Sequence, residues 1–409
     1  MLEPILGYRL LRFCQALAKG LAASYIIIYQ IEEGGFGPFQ LAALGATFHA
    51  AVLLFEVPTG ALADSRSRKG SVALGLSVIG ACFLAMGSTT DYLAFLVISF
   101  LWGIGETFIS GAREAWVTEE IPFSRQPDLK PGSLYILGSQ AEFLGGIIGI
   151  ALSGALVLMG LSLPLLAAGL TYWVTMALAL SLPEQGFAPS GHWRENLRYA
   201  VAKLEGCWRR VVSGGVILLI LAVTLFQGMS SEGFDRLWQA FVKAVLGGVP
   251  SVIGLPDKTW WAVISALSLA IAWAVVSLVR RMVDMSNEGQ IISVLCWMTL
   301  GILAGILAFA VAPSFWIAVP ALVLCRTLRK ANSPLMTAWL NLQAAQESRA
   351  TMLSFEGQTQ ALGRMLGGPT AGAAAEAVKS LRVALGLTAV FLMPALWAVF
   401  SAIRKRGRV

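Results

Sequence analysis

Charged side chains stand inside the long apolar stretches of this sequence, where they could carry protons, form ion pairs or bind a charged solute. A buried carboxylate can take up and release a proton, and a guanidinium or ammonium group can pair with it or hold an anion. An unpaired charge in an apolar setting is costly, so each of these residues needs a partner or a task. The candidates for solute binding and proton coupling are Glu56, Glu106, Arg113, Glu142, Glu232, Asp235, Arg236, Arg326, Arg329, Lys330 and Glu356.

Helical spacing suggests partners for some of these charges. Glu106 and Arg113 stand seven residues apart and share one face of a helix. They fit either a structural ion pair or a part of the solute site, and the sequence leaves both interpretations open. Glu232 and Arg236 are separated by four residues with the acid first, which is the favourable order for a pair on a helix.

Three cations crowd one helix face near residue 330. Arg326, Arg329 and Lys330 would repel one another unless acids or an anionic ligand lie opposite them. Gating and the binding of an anionic solute group both remain open for these three residues. His49 is the only histidine in an apolar stretch, and we interpret it as a packing residue rather than a proton relay.

Catalytic and metal-binding patterns give no support for an enzyme. The sequence contains no His-Glu-x-x-His, no Gly-x-Ser-x-Gly and no phosphate-binding loop, and it has only two histidines. The five cysteines are scattered without metal-ligand spacing and are interpreted as small apolar residues. We therefore predict no enzymatic activity, no cofactor and no metal.

The composition indicates that the segments carrying these charges lie in a lipid bilayer. Of the 409 residues 57% are hydrophobic and 13% are charged, against about 25% charged in ordinary soluble domains. A chain of this length cannot cover soluble domains with so few charges. A soluble enzyme, a secreted disulfide scaffold and a disordered protein are excluded.

Apolar runs of about 20 residues, the length that crosses a bilayer, recur along the whole chain. They predict an all-α polytopic membrane protein with twelve transmembrane helices in two pseudo-symmetric six-helix bundles. The seventh and eleventh runs are polar enough to be missed by hydropathy alone. The predicted limits are 8–31, 39–63, 71–90, 92–118, 132–158, 161–183, 213–245, 258–285, 287–312, 314–342, 347–376 and 380–403.

A polar stretch near the middle divides the twelve runs into six and six. We predict an N-terminal bundle at 1–183, a cytoplasmic amphipathic linker at 184–212 and a C-terminal bundle at 213–409. Within the linker, apolar residues from Trp193 to Trp208 recur at helical spacing, which is typical of a helix lying in the membrane interface.

Basic residues predict the orientation of the chain. Clusters at 66–69, 209–210, 280–281 and 404–406 fall on one side if both termini are cytoplasmic, which follows the positive-inside rule. The net charge of +7 then reflects contact with anionic lipid headgroups, and no nucleic-acid partner is expected.

The loop between the second and third runs carries the clearest motif. It reads Gly60-Ala-Leu62-Ala-Asp64-Ser-Arg66-Ser-Arg68-Lys69 and resembles the signature loop of the major facilitator superfamily, G-x-L-x-D-R-x-G-R-R. Ser65 and Ser67 depart from the pattern. The glycine suits a close helix approach, and the carboxylate can pair with nearby arginines. The resemblance implies a gating role for Gly60, Asp64, Arg66, Arg68 and Lys69.

Further segments resemble the bacterial drug and tetracycline efflux group of that superfamily. The segments are Gly103–Glu106, Ser110–Glu114, Ser231–Trp238, Pro334–Leu335 with Ala338–Asn341, and Gly363–Gly372. Ser99 stands where efflux members carry an arginine, and the fifth run has Gly145 and Gly146 without the proline of the antiporter signature. Those glycines predict close packing of the fifth helix.

The resemblance implies a secondary active transporter in the bacterial cytoplasmic (inner) membrane. The leading hypothesis is proton-coupled export of a lipophilic or amphipathic small molecule by alternating access, with the solute, protons and membrane lipids as partners and a monomer sufficient. An uptake or exchange carrier for an anionic metabolite or lysolipid is the alternative, suggested by the cations near residue 330. A non-transporting scaffold or sensor on the same fold is the second alternative.

Overall fold

The computed structural model describes residues 3–212, 215–250, 256–344 and 349–406, and within these ranges the regular structure is entirely helical. The fold class is the predicted one, an all-α chain of transmembrane helices. The helices are α1 (Pro4–Ala23), α2 (Ile26–Glu32), α3 (Pro38–Ser65), α4 (Arg68–Met86), α5 (Tyr92–Glu120), α6 (Pro131–Leu156), α7 (Leu163–Ser181), α8 (Trp193–Val212), α9 (Val216–Val245), α10 (Trp260–Met282), α11 (Glu288–Val311), α12 (Phe315–Gln343), α13 (Arg349–Ala377), α14 (Leu381–Val390) and α15 (Leu392–Arg406).

Ten helical segments of the described ranges are long and apolar enough to cross a membrane. The first predicted run comprises α1 and α2, and the last comprises α14 and α15. The expectation that hydropathy would miss the seventh run is wrong, because α9 qualifies. The two segments that fall short are α12 and α13, each 29 residues long, since α12 carries three cations and α13 is rich in glycine and polar residues.

The linker contains the predicted helix as α8. Hydrogen bonds from its N-terminal side reach the end of α3, where the amide of Gly191 donates to the carbonyl of Ser65 over 3.1 Å. The predicted bundle limits at residues 183 and 213 stay a prediction.

The first compact unit contains residues up to Gly35, Ala50–Val201 and Lys258–Ala266. In it α1 packs on α6 and α7, and α4 packs on α5 and α7. Glycines bring α6 onto the backbone of α1, because a Cβ built on Gly145 or Gly149 would overlap the carbonyl oxygen of Phe13 or Leu17. The predicted glycine-mediated packing of the fifth run, which is α6, is confirmed.

The second compact unit contains Phe36–His49, Ala202–Asp257 and the chain from Leu267 onward. Here α9 packs on α13, α14 and α15, and α11 packs on α12. The α9–α13 pair uses glycines as α1–α6 does, since a Cβ on Gly363 or Gly367 would overlap the carbonyl oxygen of Leu225 or Met229. The α1–α6 pair and the α9–α13 pair are thus packed in the same way.

Candidate functional site

A buried charged triad joins α3 to α9 in the second unit. The Glu232 residue is only 5% exposed. Arg236 donates from Nε to Glu232 Oε1 over 2.8 Å, and the His49 Nε2 atom lies 3.1 Å from Glu232 Oε2. One carboxylate therefore binds a guanidinium from its own helix and an imidazole from another.

Two glycines make room for this triad. A Cβ on Gly45 of α3 would overlap Glu232 and lie 2.6 Å from the Nε atom of Arg236. A Cβ on Gly368 of α13 would lie 3.1 Å from the Cγ atom of Glu232. The small residues let α3 and α13 close over the carboxylate, which excludes water and strengthens its interactions with the two partners.

The triad can hold a proton. With a neutral imidazole the carboxylate and the guanidinium cancel, and one added proton leaves the group with a net charge of plus one. The i,i+4 pair of Glu232 and Arg236 was predicted and is confirmed. His49 is more than a packing residue, because it binds Glu232 across 183 positions of sequence.

The three cations of α12 have different surroundings. Arg329 is bound twice to α9, by Asp235 Oδ1 over 2.6 Å and by the carbonyl oxygen of Ser231 over 3.2 Å. Arg326 lies over the ring of Trp238, with 5.5 Å between the guanidinium carbon and the ring centroid. Lys330 is exposed.

Two further charged candidates lie on α13. Glu356 accepts a hydrogen bond from Thr224 Oγ1 of α9 over 3.3 Å. Arg364 is partly buried, and in the described part of the chain its Nε atom has no hydrogen-bond partner. Arg364 also interacts electrostatically with Glu232, so α13 adds a cation beside the triad.

A second charged cluster lies in the first unit, between α1, α5 and α6. Arg12 of α1 bridges two carboxylates, Glu114 at 3.1 Å and Glu142. Arg113 binds Glu114 at 2.7 Å and donates to Gln15 Oε1 over 2.7 Å. Sequence analysis missed Arg12 and Gln15, because only tertiary packing brings α1 beside α5.

The predicted pairing along α5 takes a different form. Arg113 turns to Glu114 and to α1 instead of to Glu106. Glu106 accepts a hydrogen bond from Trp102 Nε1 over 3.3 Å, and Glu56 of α3 accepts one from Ser110 Oγ over 2.8 Å. Among the described residues no three His, Cys, Asp or Glu side chains are grouped so as to hold a metal ion.

Replacing Arg12 with glutamine is expected to destabilise the protein, because Glu142 loses this partner and Glu114 keeps only Arg113. Both carboxylates are partly solvated, so we expect a loss of about 1–2 kcal/mol. Thermal unfolding of the purified protein in detergent measures it. Arg9→Gln is the matched control on an exposed position of the same helix, and an equal loss in the two variants would contradict the bridging role.

The loop that resembles the superfamily signature is held by ion pairs within the first unit. Arg68 binds Asp64 at 2.9 Å and Glu119 of α5 at 2.5 Å. Glu184 accepts from Ser67 Oγ over 2.6 Å and from the amide of Lys69 over 2.7 Å, which caps the start of α4. Gly60 lies inside α3 with nothing within 4 Å of an added Cβ, so the expected close approach does not occur there.

The described residues form helices only, with buried charge clusters and ten segments apolar enough to span a membrane, which is the make-up of a polytopic integral membrane protein. The profile of the Major Facilitator Superfamily matches residues 10–368. The chain therefore belongs to this superfamily of transporters, whose members are generally carriers rather than enzymes. The protein is 22% identical over 396 residues to YxaM of Bacillus subtilis (strain 168), an uncharacterized MFS-type transporter, covering 95% of this chain and 92% of YxaM.

Solved structures of similar fold are transporters of several kinds. The nucleoside transporter NupG superposes with a TM-score of 0.74 at 14% identity, covering 98% of this chain and 99% of NupG. A bacterial homolog of the human lysosomal transporter Spinster, in an inward-facing, unoccupied conformation, gives 0.74 at 15%, covering 98% and 96%. The human organic anion transporter MFSD10 gives 0.63 at 15%, covering 97% and 98%. These similarities show the fold alone.

Proposed function

We propose that this protein is a secondary active transporter that couples proton movement to export of a lipophilic or amphipathic small molecule by alternating access. The observation that carries the proposal is the buried triad of His49, Glu232 and Arg236. Proton uptake there changes the charge that holds α3 on α9. A conformation in which this contact is broken would then be favoured in one protonation state and disfavoured in the other.

The family supports transport as the general activity, and the apolar helices support an integral membrane location. A bacterial cytoplasmic membrane with both termini cytoplasmic is part of the proposal, since the basic clusters follow the positive-inside rule. A monomer is sufficient, with the solute, protons and membrane lipids as partners. Assignment to the drug and tetracycline efflux group is likewise proposed, on the residues that resemble it.

A second candidate function is the uptake or exchange of an anionic metabolite or lysolipid. It is favoured by Arg326 on α12, which is partly buried and whose Nη1 atom has no hydrogen-bond partner among the described residues. One of the similar structures is an organic anion transporter, which is compatible with such a solute. A scaffold or sensor without transport is the third candidate, and the cost of keeping charges within the helices weighs against it.

In proteoliposomes with an imposed pH gradient and an internal pH dye, we expect a solute of one chemical class to trigger proton flux. The panel contains lipophilic cations, amphipathic anions and lysolipids. Asp64→Asn, which breaks the pair with Arg68, is the variant expected to stop access cycling. A solute transport rate that does not change with pH would contradict proton coupling, and binding without transport would favour the scaffold.

A further inference from the structure

A patch of four residues between α9 and α12, called here the Arg326 patch, contains an uncompensated positive charge. It consists of Asp235 and Trp238 on α9 and of Arg326 and Arg329 on α12. Two guanidinium groups compete in it for the single carboxylate of Asp235. Arg329 takes that carboxylate, with 2.6 Å between Nη2 and Oδ1.

Arg329 is satisfied on every side that the structure describes here. Besides Asp235, it donates to the carbonyl oxygen of Ser231 and lies over the ring of Phe234, 5.1 Å from the centroid. Ser231, Phe234 and Asp235 follow one another at helical spacing on one face of α9. Arg329 therefore ties α12 to α9 and serves a structural role.

Arg326, one turn earlier on α12, lacks such compensation. Its Nη1 atom is buried and has no hydrogen-bond partner among the described residues. Its guanidinium plane is supported by Trp238, a residue only 5% exposed. A cation–π contact contributes about 0.5–2 kcal/mol, which does not replace the hydration lost at the buried Nη1 atom.

From this arrangement we infer that Arg326 is a binding site for the anionic group of the transported solute. A carboxylate or phosphate can accept from the unused donor of Arg326 in the charge-assisted geometry that guanidinium favours. The apolar body of the solute comes from the proposed function, since Trp238 is only 5% exposed and serves to support the guanidinium. The substrate class is therefore an amphipathic anion with a carboxylate or phosphate head.

This inference rests on the proposed function in that it names the solute of the transporter. It does not require proton coupling, because binding can be measured without a gradient. If anions bind but no proton flux is seen, only the proposed proton coupling is overturned. If proton flux is intact but replacing Arg326 does not change anion binding, only this inference is overturned.

Binding to the purified full chain in lipid nanodiscs tests the inference by isothermal titration calorimetry. Four probes share one phenyl body and differ in the head group: benzoate, phenyl phosphate, benzylammonium and benzyl alcohol. Lysophosphatidate carries the same phosphate monoester on a lipid tail. We expect only the anions to bind. Binding of phenyl phosphate would indicate a soluble solute, and binding of lysophosphatidate without phenyl phosphate would indicate a lipid.

Arg326→Gln is expected to weaken anion binding by about tenfold or more, which is the usual effect of losing one charged hydrogen bond. Arg326→Lys keeps the charge and should lose less. Arg281→Gln removes the same charge from an exposed position at the end of α10 and should leave binding within about twofold.

A stability measurement separates this role from a structural one. A ligand-free variant Arg326→Gln should unfold at a temperature no lower than the wild type, because it removes a charge whose buried Nη1 donor has no hydrogen-bond partner among the described residues. A structural arginine would give the opposite result. The inference is overturned if no anion binds the wild type, if benzylammonium binds as well as benzoate, or if Arg326→Gln binds anions unchanged.

Discussion

Replacing Glu232 with glutamine is expected to reduce substrate-driven proton flux to the level of protein-free liposomes. Glutamine has nearly the same shape and can still accept a hydrogen bond from Arg236, but it lacks the negative charge that stabilises an added proton in the triad. The triad would then be locked in one charge state. Since a change in the charge of the triad is the proposed link between proton uptake and the α3–α9 contact, coupling should be lost while solute binding persists.

Two companion variants protect this test against loss of folding. Glu232→Gln leaves the charge of Arg236 without its carboxylate, so the double variant with Arg236→Gln is made as well and should fold without an unpaired cation. Glu232→Asp keeps a carboxylate on a shorter side chain and should retain part of the flux.

Controls for the flux measurement come from residues away from the triad. Glu195→Gln removes a carboxylate from an exposed position on α8 and should leave the flux at the wild-type rate. His49→Gln removes the imidazole and is expected to change the pH at which flux is half-maximal. Wild-type flux in the folded Glu232→Gln variant would contradict the coupling role of this carboxylate.

Helical spacing explains which contacts of the triad could be predicted from the sequence. Glu232 and Arg236 are four residues apart on one helix, so helical geometry alone brings them together. His49 is far away in sequence and lies on α3, which contains no acidic residue near it. Only the packing of α3 on α9, permitted by Gly45, places the imidazole on the carboxylate.

The cations of α12 also show that the sequence of one helix does not reveal the contacts made by a neighbouring helix. Arg326 and Arg329 share a helix face, and the sequence treats them alike. The distinction arises from α9, where Asp235 stands within reach of Arg329 and Trp238 lies under Arg326. Spacing on one helix predicts which side chains are neighbours, but the opposite helix decides which neighbour is neutralised.

Hydropathy predicted the positions of the helices well, but it predicted less well which helices are too polar to qualify as membrane spans. Apolar run length fixes where a helix can span a bilayer, and the predicted runs correspond to the observed helices. Charged, polar or glycine residues lower the average hydropathy of a run without preventing a helix, and α12 and α13 fall short for this reason. The ion pair of Arg113 with Glu106, one of the two interpretations left open, does not form, because Arg113 binds Glu114 and α1 supplies Gln15 from outside the helix.

Replacing Gly367 with valine is expected to prevent the second unit from folding correctly. A Cβ at this position would overlap the backbone of Met229, so neither rotamer changes nor a flexible side chain can relieve the contact. The α9 and α13 backbones would have to separate along their shared face. Overpacking commonly costs about 1–3 kcal/mol, and a backbone clash of this kind should reach or exceed the upper end.

The measurement is the fraction of purified protein that elutes as a monodisperse species, followed by thermal unfolding. Gly386→Val on α14 is the matched control, because nothing lies within 4 Å of an added Cβ there. Equal behaviour of the two variants would mean that the α9–α13 approach is looser than described. Gly149→Val should fail like Gly367→Val, since the α1–α6 pair uses the same backbone contact in the first unit. Agreement of the two glycine variants would show that both halves of the chain depend on the same close helix pairing.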